Sequence, residues 1–413
     1  MSTKFVPLGL RDTETIRSIA GRSKGYLLLI ILVSALPAFL EGFDVNLFAF
    51  GAPYIVRSIH GSIALLGLIG TGFALGIALF SLVGGYLFDK FSVKYTIILS
   101  VAVFALFTLL TGFAHDTVVL IGARLLVGIG IGMFQPAILA LLGDIFFATR
   151  GRAVSAFAVF FGGGLFVGPY LISPFLPNYQ TPFIISGVAS ALVLLLFYWI
   201  IPTSYKKIEK RKVSFRGIMT RNVIILSASI FLFGITLFGF LGYYSDYLLK
   251  FLSIAPEQAA AIESMGGLGG LICAFPLGFL ADKIGRKYAL SFASFLILIG
   301  SFGMFSVGRN IASLFILTFA FGAGWGIYVN LIAALGQDSV TDNVAGTVTG
   351  WLLFLYNVGA LFGGPIFAIA LSLGFVPAGL LTLGVSSALS FGLTLLTRRI
   401  TESNIPLEVA SDM

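Results

Sequence analysis

The sequence predicts an all-α membrane protein: twelve transmembrane helices in two parallel-repeat six-helix bundles. Three observations predict it. Hydrophobic residues make up 58% of the chain and charged residues only 10%, where an average soluble domain is about 25% charged. The apolar residues gather in twelve runs of the length a bilayer requires, about 20 residues for a hydrocarbon core about 30 Å thick. The same motifs recur in both halves at nearly one offset. So apolar a chain has too few polar groups to cover a soluble surface, which excludes a cytosolic enzyme, a disordered protein and a nucleic-acid-binding module. The net charge of +8 sits in loops, where membrane topology accounts for it.

The elements follow in order. Segment 1–25 is polar and lacks the apolar stretch of a signal peptide, so no cleavable leader is expected. Span 1 (26–54) carries Glu41 and Asp44. Span 2 (62–88) runs into Gly85-Tyr-Leu-Phe-Asp89-Lys90, and span 3 is 94–114. Span 4 (117–143) holds Arg124 and Gly128-x-Gly130-x-Gly132. Span 5 (152–176) holds Gly168-Pro169, and span 6 (181–202) completes a first bundle, 26–202. The polar, basic stretch 203–221 reads as a linker. Span 7 (222–250) carries Phe240, Tyr243, Tyr244 and Asp246. Span 8 (256–281) carries Glu263 and Cys273 and runs into Gly278-Phe-Leu-Ala-Asp282-Lys283-Ile-Gly285-Arg286-Lys287. Span 9 is 286–307. Span 10 (310–337) holds Gly322-x-Gly324-x-Gly326, Tyr328 and Asn330. Span 11 (343–372) holds Trp351, Asn357 and Gly364-Pro365. Span 12 (375–397) completes a second bundle, 222–397, before the tail 398–413. Long continuous runs without period-2 alternation exclude strands.

Basic residues set the orientation. Of 25 Lys and Arg, 21 fall in the N-terminal segment, the linker, the tail and the loops on their side; Arg57, Lys250 and Arg309 fall on the other side, and Arg124 lies within a span. Both termini and the linker are therefore expected in the cytoplasm, with the chain in the plasma membrane. The repeat is independent of this. Asp89 and Asp282 are 193 residues apart, the two Gly-x-Gly-x-Gly stretches 194, and the two Gly-Pro pairs 196. Six spans is an even number, so the halves run parallel. Close helix packing accounts for the glycine stretches.

These motifs resemble the major facilitator superfamily over the whole chain: G-x-L-x-D-K/R-x-G-R-K after spans 2 and 8, R-x-x-x-G from Arg124 to Gly128, and Gly-Pro in span 5. The second-half copy is complete; the first has Ser92 and Val93 where Gly and Arg are usual. The resemblance implies that fold, two bundles rocking about a midplane site, and transport. Asp89, Lys90, Asp282, Arg286 and Lys287 would then latch one conformation, each carboxylate pairing with a base or with a helix N-terminus.

Glu41 and Asp44 are three residues apart and share a helix face. Ionisable groups within the hydrocarbon are costly and by default functional. Glu41 lies roughly 22 Å from the start of its span, and Arg124 roughly 11 Å from the opposite face, at 1.5 Å per residue. The two carboxylates and the guanidinium are thus at comparable depth, and the family fold brings spans 1 and 4 together along a central cavity. Two carboxylates on one face repel, and Arg124 opposes that effect for whichever it touches; Asp44, nearer Arg124 across the cavity, is expected to be the principal proton carrier, its charge switched by that partner, with Glu41 tuning it or contacting the solute. A fixed Asp–Arg buttress with no transport chemistry is the plainer alternative.

Glu41-Gly42-Phe43-Asp44 resembles the D-G-F-D element of the aromatic acid:proton symporter branch. Gly346-Thr347-Val-Thr-Gly350 and Asn357-Val-Gly359 resemble its helix 11 pattern, with Asn357 where Arg is common. Arg124, Gln135, Tyr243, Tyr244, Tyr328, Asn330, Trp351 and Asn357 are candidate substrate contacts; mid-span groups such as Gln135, Tyr328, Asn330, Trp351 and Asn357 more often bond between helices or pack, and an interfacial aromatic belt is the alternative for Tyr243 and Tyr244. Glu263 reads as a vestibule charge. No role is assigned to His60 or His115, a single cysteine makes no disulfide, and no catalytic or metal-ligand constellation is placed.

The expected function is secondary active transport by alternating access: proton-coupled symport of a small organic solute, an organic anion such as an aromatic or sugar acid first. The proton gradient is the energy source and no cofactor is expected. The partners are the solute, protons and the bilayer, with no nucleic acid, and the protein acts as a monomer. A proton-coupled exporter, a sugar symporter and a solute-binding receptor are the alternatives.

Overall fold

The computed structural model describes residues 23–90, 93–146, 150–201, 219–340 and 345–398. Among them twelve helices are long and apolar enough to span a membrane. In chain order they are α1 (Lys24–Ser58), α2 (Ala64–Lys90), α3 (Val93–Gly112), α4 (Thr117–Ile145), α5 (Arg150–Ile172) and α6 (Gln180–Ile200). The second half holds α7 (Arg221–Asp246), α8 (Pro256–Ile284), α9 (Arg286–Ser306), α10 (Ile311–Asp338), α11 (Ala345–Ala370) and α12 (Phe375–Leu396). Polar residues fix several starts. Ser23, Asp116, Thr220 and Asn310 each accept a hydrogen bond from a backbone N–H in the first turn of α1, α4, α7 and α10, satisfying donors that have no partner within the helix.

Helices and apolar runs share centres but not ends. α1 continues past its apolar run to Ser58, and α7 is prolonged by a π turn, Tyr247–Phe251. Hydropathy marks where the hydrocarbon ends, whereas the backbone bonds continue until a cap or a turn stops them.

The packing repeats along with the sequence. In the first half α1 packs on α5, α2 on α4, and α3 on α4 and α6; in the second α7 packs on α11, α8 on α10, and α9 on α10 and α12. The glycine stretches explain why. A Cβ on Gly128 would stand 2.1 Å from the Phe73 carbonyl oxygen of α2, and one on Gly130 2.8 Å from the Ser100 carbonyl oxygen of α3. Their repeats behave alike: a Cβ on Gly322 would be 1.9 Å from the Gly266 oxygen of α8, and one on Gly324 2.4 Å from the Ala293 oxygen of α9. Each stretch therefore seats two neighbours through alternate glycines, the close approach on which membrane helices depend. The obstacle at Gly322 is backbone, which cannot swing aside. Gly322→Val is expected to cost about 1–3 kcal/mol, as ordinary overpacking does, read as a lower thermal midpoint of the purified protein; an unchanged midpoint would mean that α8 and α10 can part freely.

The halves meet through α2 on α11, α5 on α8 and α1 on α7. Several of these contacts lie toward the face opposite the starts of α1 and α7, called here the far face. Gly67, three residues into α2, packs on Gly364, where a Cβ would be 2.8 Å from the carbonyl oxygen. Thr71 donates to the Leu361 carbonyl oxygen at 3.0 Å. Gly267 of α8 lies against Leu165 and Phe166 of α5, and the Tyr243 hydroxyl of α7 lies against Gly67. Together they form a seam between the bundles on that face.

Candidate functional site

Asp44 and Arg124 meet. Asp44 comes from the middle of α1 and Arg124 from the first third of α4, and their side chains are 0% and 1% exposed. Arg124 Nη1 stands 2.8 Å from Asp44 Oδ2. Thr108 of α3 donates to Oδ1 at 3.1 Å, so both carboxylate oxygens are engaged. The guanidinium carbon lies 4.4 Å from the Phe48 ring centroid and 4.8 Å from that of Phe73, positions in which a delocalised cation is stabilised by the ring faces. Arg124 Nε is buried without a hydrogen-bond partner.

Arg124 borders a small cavity of about 30 Å³ between the two bundles, narrower in this state than an aromatic ring. Val45, Phe48 and Ala49 of α1, Leu66, Gly70 and Phe73 of α2, and Phe238, Leu241 and Gly242 of α7 line it, with Gly364 of α11 at the seam. Its wall is thus three phenyl rings, small aliphatic groups and one guanidinium.

Glu41 occupies the next turn of α1. It is 3% exposed, and its Oε1 accepts a hydrogen bond from Gln135 Nε2 of α4 at 2.5 Å. Its Oε2 is buried without a partner, and Tyr356 of α11 lies within its electrostatic reach. Asn46 faces elsewhere: its amide donates to the Leu165 carbonyl oxygen at 2.6 Å and ties α1 to α5.

The other sequence candidates are spread through the second bundle. Tyr243 stacks on Phe367 with ring centroids 4.3 Å apart, and Tyr244 bonds to Thr318 of α10. Tyr328 shares hydrogen bonds with Ser229 of α7 and Ser390 of α12. Trp351 Nε1 donates to Ser227 Oγ at 3.0 Å, and the Asn357 amide donates to the Leu353 carbonyl oxygen at 2.9 Å, leaving its own Oδ1 buried without a partner. Asn330 is exposed. Arg286 bonds to the Ala334 carbonyl oxygen and pairs with Asp338, joining the start of α9 to the end of α10; Lys287 is half-buried beside it. The side chains of Asp89, Lys90 and Asp282 lie outside the described residues.

Sequence reasoning did not single out Thr108, Phe48 or Phe73, because a hydroxyl or a phenyl group in an apolar run carries no distinguishing signal. Glu263, read as a vestibule charge, is 2% exposed and takes a hydrogen bond from Ser245 of α7. Depth along a helix was legible for Glu263, but rotation about the axis was not.

A family model described as Major Facilitator Superfamily matches residues 35–364. Among curated proteins, the chain is 25% identical to a gallate transporter of Pseudomonas putida, over 89% of this chain and 90% of that one. It is 28% identical to a 3-(3-hydroxy-phenyl)propionate transporter of Escherichia coli, over 91% and 96%, and 22% identical to a hexuronate transporter of Bacillus subtilis, over 81% and 85%. Among solved structures, a D-xylose-proton symporter superposes with a TM-score of 0.74 at 16% identity, covering 92% of this chain and 99% of that one. At that identity the likeness speaks for the fold alone.

Proposed function

The chain belongs to the major facilitator superfamily, a family of transporters rather than enzymes, and from that premise we propose that it carries an aromatic organic acid together with a proton by alternating access. The observation that carries this reading is Arg124. It is a buried guanidinium with an unpartnered Nε, on the wall of a cavity otherwise built of phenyl and aliphatic groups. Such a wall offers one carboxylate-binding group and an apolar, aromatic surround. The relatives named for aromatic acids point the same way. A polyol would find few hydrogen-bond partners there, which sets the sugar reading behind this one.

Asp44 supplies the coupling. While ionised it occupies Arg124; when it takes a proton the pair breaks and the guanidinium turns to the carboxylate of the solute. Glu41 sits one turn away with a free oxygen and no cation, and tunes that exchange. The bundles 26–202 and 222–397 rock about this layer, the energy comes from the proton gradient alone, and a single chain suffices.

A thermal-shift series on purified protein tests the solute class. Aromatic monocarboxylates are expected to raise the melting midpoint more at mildly acid than at mildly alkaline pH, and the matching carboxamides to leave it unchanged; equal shifts from acid and amide would remove the anion from the reading. Orientation is tested separately. Single cysteines at Lys207 and Ser403 are expected to react only from the cytoplasmic side and one at Asn310 only from outside, following the 21 basic residues on the first side and three on the other. External labelling at Lys207 would reverse the topology.

A further inference from the structure

Glu263 has no part in the reading above. It lies in α8, seven residues from Pro256, and is buried. Ser245 of α7 donates to its Oε2. Both residues adjoin the seam. Ser245 is two residues beyond Tyr243, which lies against Gly67 of the first bundle, and Glu263 is one turn before Gly267, which lies against Leu165 and Phe166. The Ser245–Glu263 bond thus joins two helices of the second bundle that each touch the first bundle on the far face.

The charged and titratable groups around it are few. From α7 come Tyr244, within electrostatic reach and bonded to Thr318, and then Tyr247 and Asp246, the last paired with Lys250. On its own helix Glu257 lies near Tyr54 of α1, and Arg57 of α1 lies near both Tyr54 and Asp246. α5 offers Tyr170; α9 offers none between Tyr288 and Arg309, and Arg309 donates to the Ser253 carbonyl oxygen; α10 offers Tyr328, bonded to Ser229 and Ser390. No described Lys or Arg forms an ion pair with Glu263.

We propose that Glu263 is a second proton-binding site, and that proton uptake there is linked to closure of the far-face seam. With the seam closed, the carboxyl group is out of water with a serine hydroxyl for company, and a charge buried without a counter-charge is costly. When α7 and α8 leave the first bundle, water reaches this corner and the ionised form is solvated. Two states that differ in how they solvate a carboxylate bind its proton differently, and by linkage the proton shifts the balance between them. A proton taken up from the far-face side then stabilises closure on that side, behind a solute that entered there.

The test uses the full chain and no solute, so it is independent of the Arg124 reading. Spin labels are placed at Val118 and Ser372, exposed positions at the far-face ends of α4 and α11, in a Cys273→Ser background. Distances are measured by electron–electron double resonance between about pH 10 and about pH 5, a range that includes the values of about 8–9 known for buried glutamates. The expected result is a wild-type population that moves to the short distance on acidification, and a Glu263→Gln variant that holds the short distance at every pH. A wild type indifferent to pH, a Glu263→Gln variant that responds as the wild type does, or one that stays open throughout overturns the proposal. If Glu263→Gln does not fold, Ser245→Ala keeps the acid and removes its donor. The midpoint is then expected to move up by about one pH unit, and an unmoved midpoint overturns the proposal equally.

Discussion

Arg124→Ala is expected to abolish solute binding and transport and to destabilise the protein by about 3–5 kcal/mol, the cost of leaving one partner of a buried ion pair uncompensated. The geometry sets the size. Asp44 is fully buried, and with the guanidinium gone Thr108 is, among the described residues, the one hydrogen-bond donor left to its carboxylate. Arg124→Lys restores a charge but not the planar fork that reaches Asp44 while lying over Phe48 and Phe73. It is expected to recover part of the stability and none of the transport. Equilibrium binding of an aromatic monocarboxylate, set beside thermal midpoints, separates the two losses. Unchanged affinity in Arg124→Ala would make the residue a buttress and remove the main support for an anionic solute. Asp44→Asn combined with Arg124→Ala distinguishes further. Removing both charges is expected to return much of the stability lost in Arg124→Ala alone, because nothing charged is then left unpaired, while binding stays absent.

The ion pair was legible in the sequence for a simple reason. Arg124 is the one Lys or Arg placed deep within an apolar run rather than at its end, and counting residues along two helices gave it a depth comparable to that of Asp44. The repeat was legible because glycine at a close helix crossing cannot be replaced without moving backbone, as Gly128 and Gly322 show. The direction of each polar side chain was not. These helices are apolar nearly all round, so no hydrophobic stripe tells the face toward the cavity from the face toward a neighbour. Tyr328 is, in the sequence, a mid-span group that could bond between helices, pack or touch solute; it sits in a hydroxyl cluster with Ser229 and Ser390 inside the second bundle. Glu263 shows the same limit, its neighbour Ser245 lying 18 residues back on another helix.

Asp44→Asn is expected to eliminate gradient-driven accumulation while leaving exchange of labelled for unlabelled solute. The amide keeps the shape of the side chain and can still accept from Thr108, but it can neither hold Arg124 by charge nor carry a proton. Arg124 is therefore expected to be permanently free for a solute carboxylate, as the proposed cycle has it in the wild type once Asp44 is protonated. Binding and reorientation with solute aboard need nothing more, so counterflow persists. Net uptake fails for a separate reason. In the proposed cycle the wild-type site regains its Asp44–Arg124 pair as the proton departs after the solute, and the empty carrier returns with its charges matched. In Asp44→Asn the empty site holds an uncompensated guanidinium, and returning it through the closed state carries the desolvation cost of a lone charge. Reciprocal linkage adds a check in the wild type, where bound solute must raise the proton affinity of the site by the same factor by which protonation raises solute affinity. Uptake and counterflow in proteoliposomes, with and without an imposed pH gradient, measure each part. Accumulation by Asp44→Asn at the wild-type level would refute the assignment, and the same result in Glu41→Gln combined with Asp44→Asn would remove proton coupling from α1 altogether.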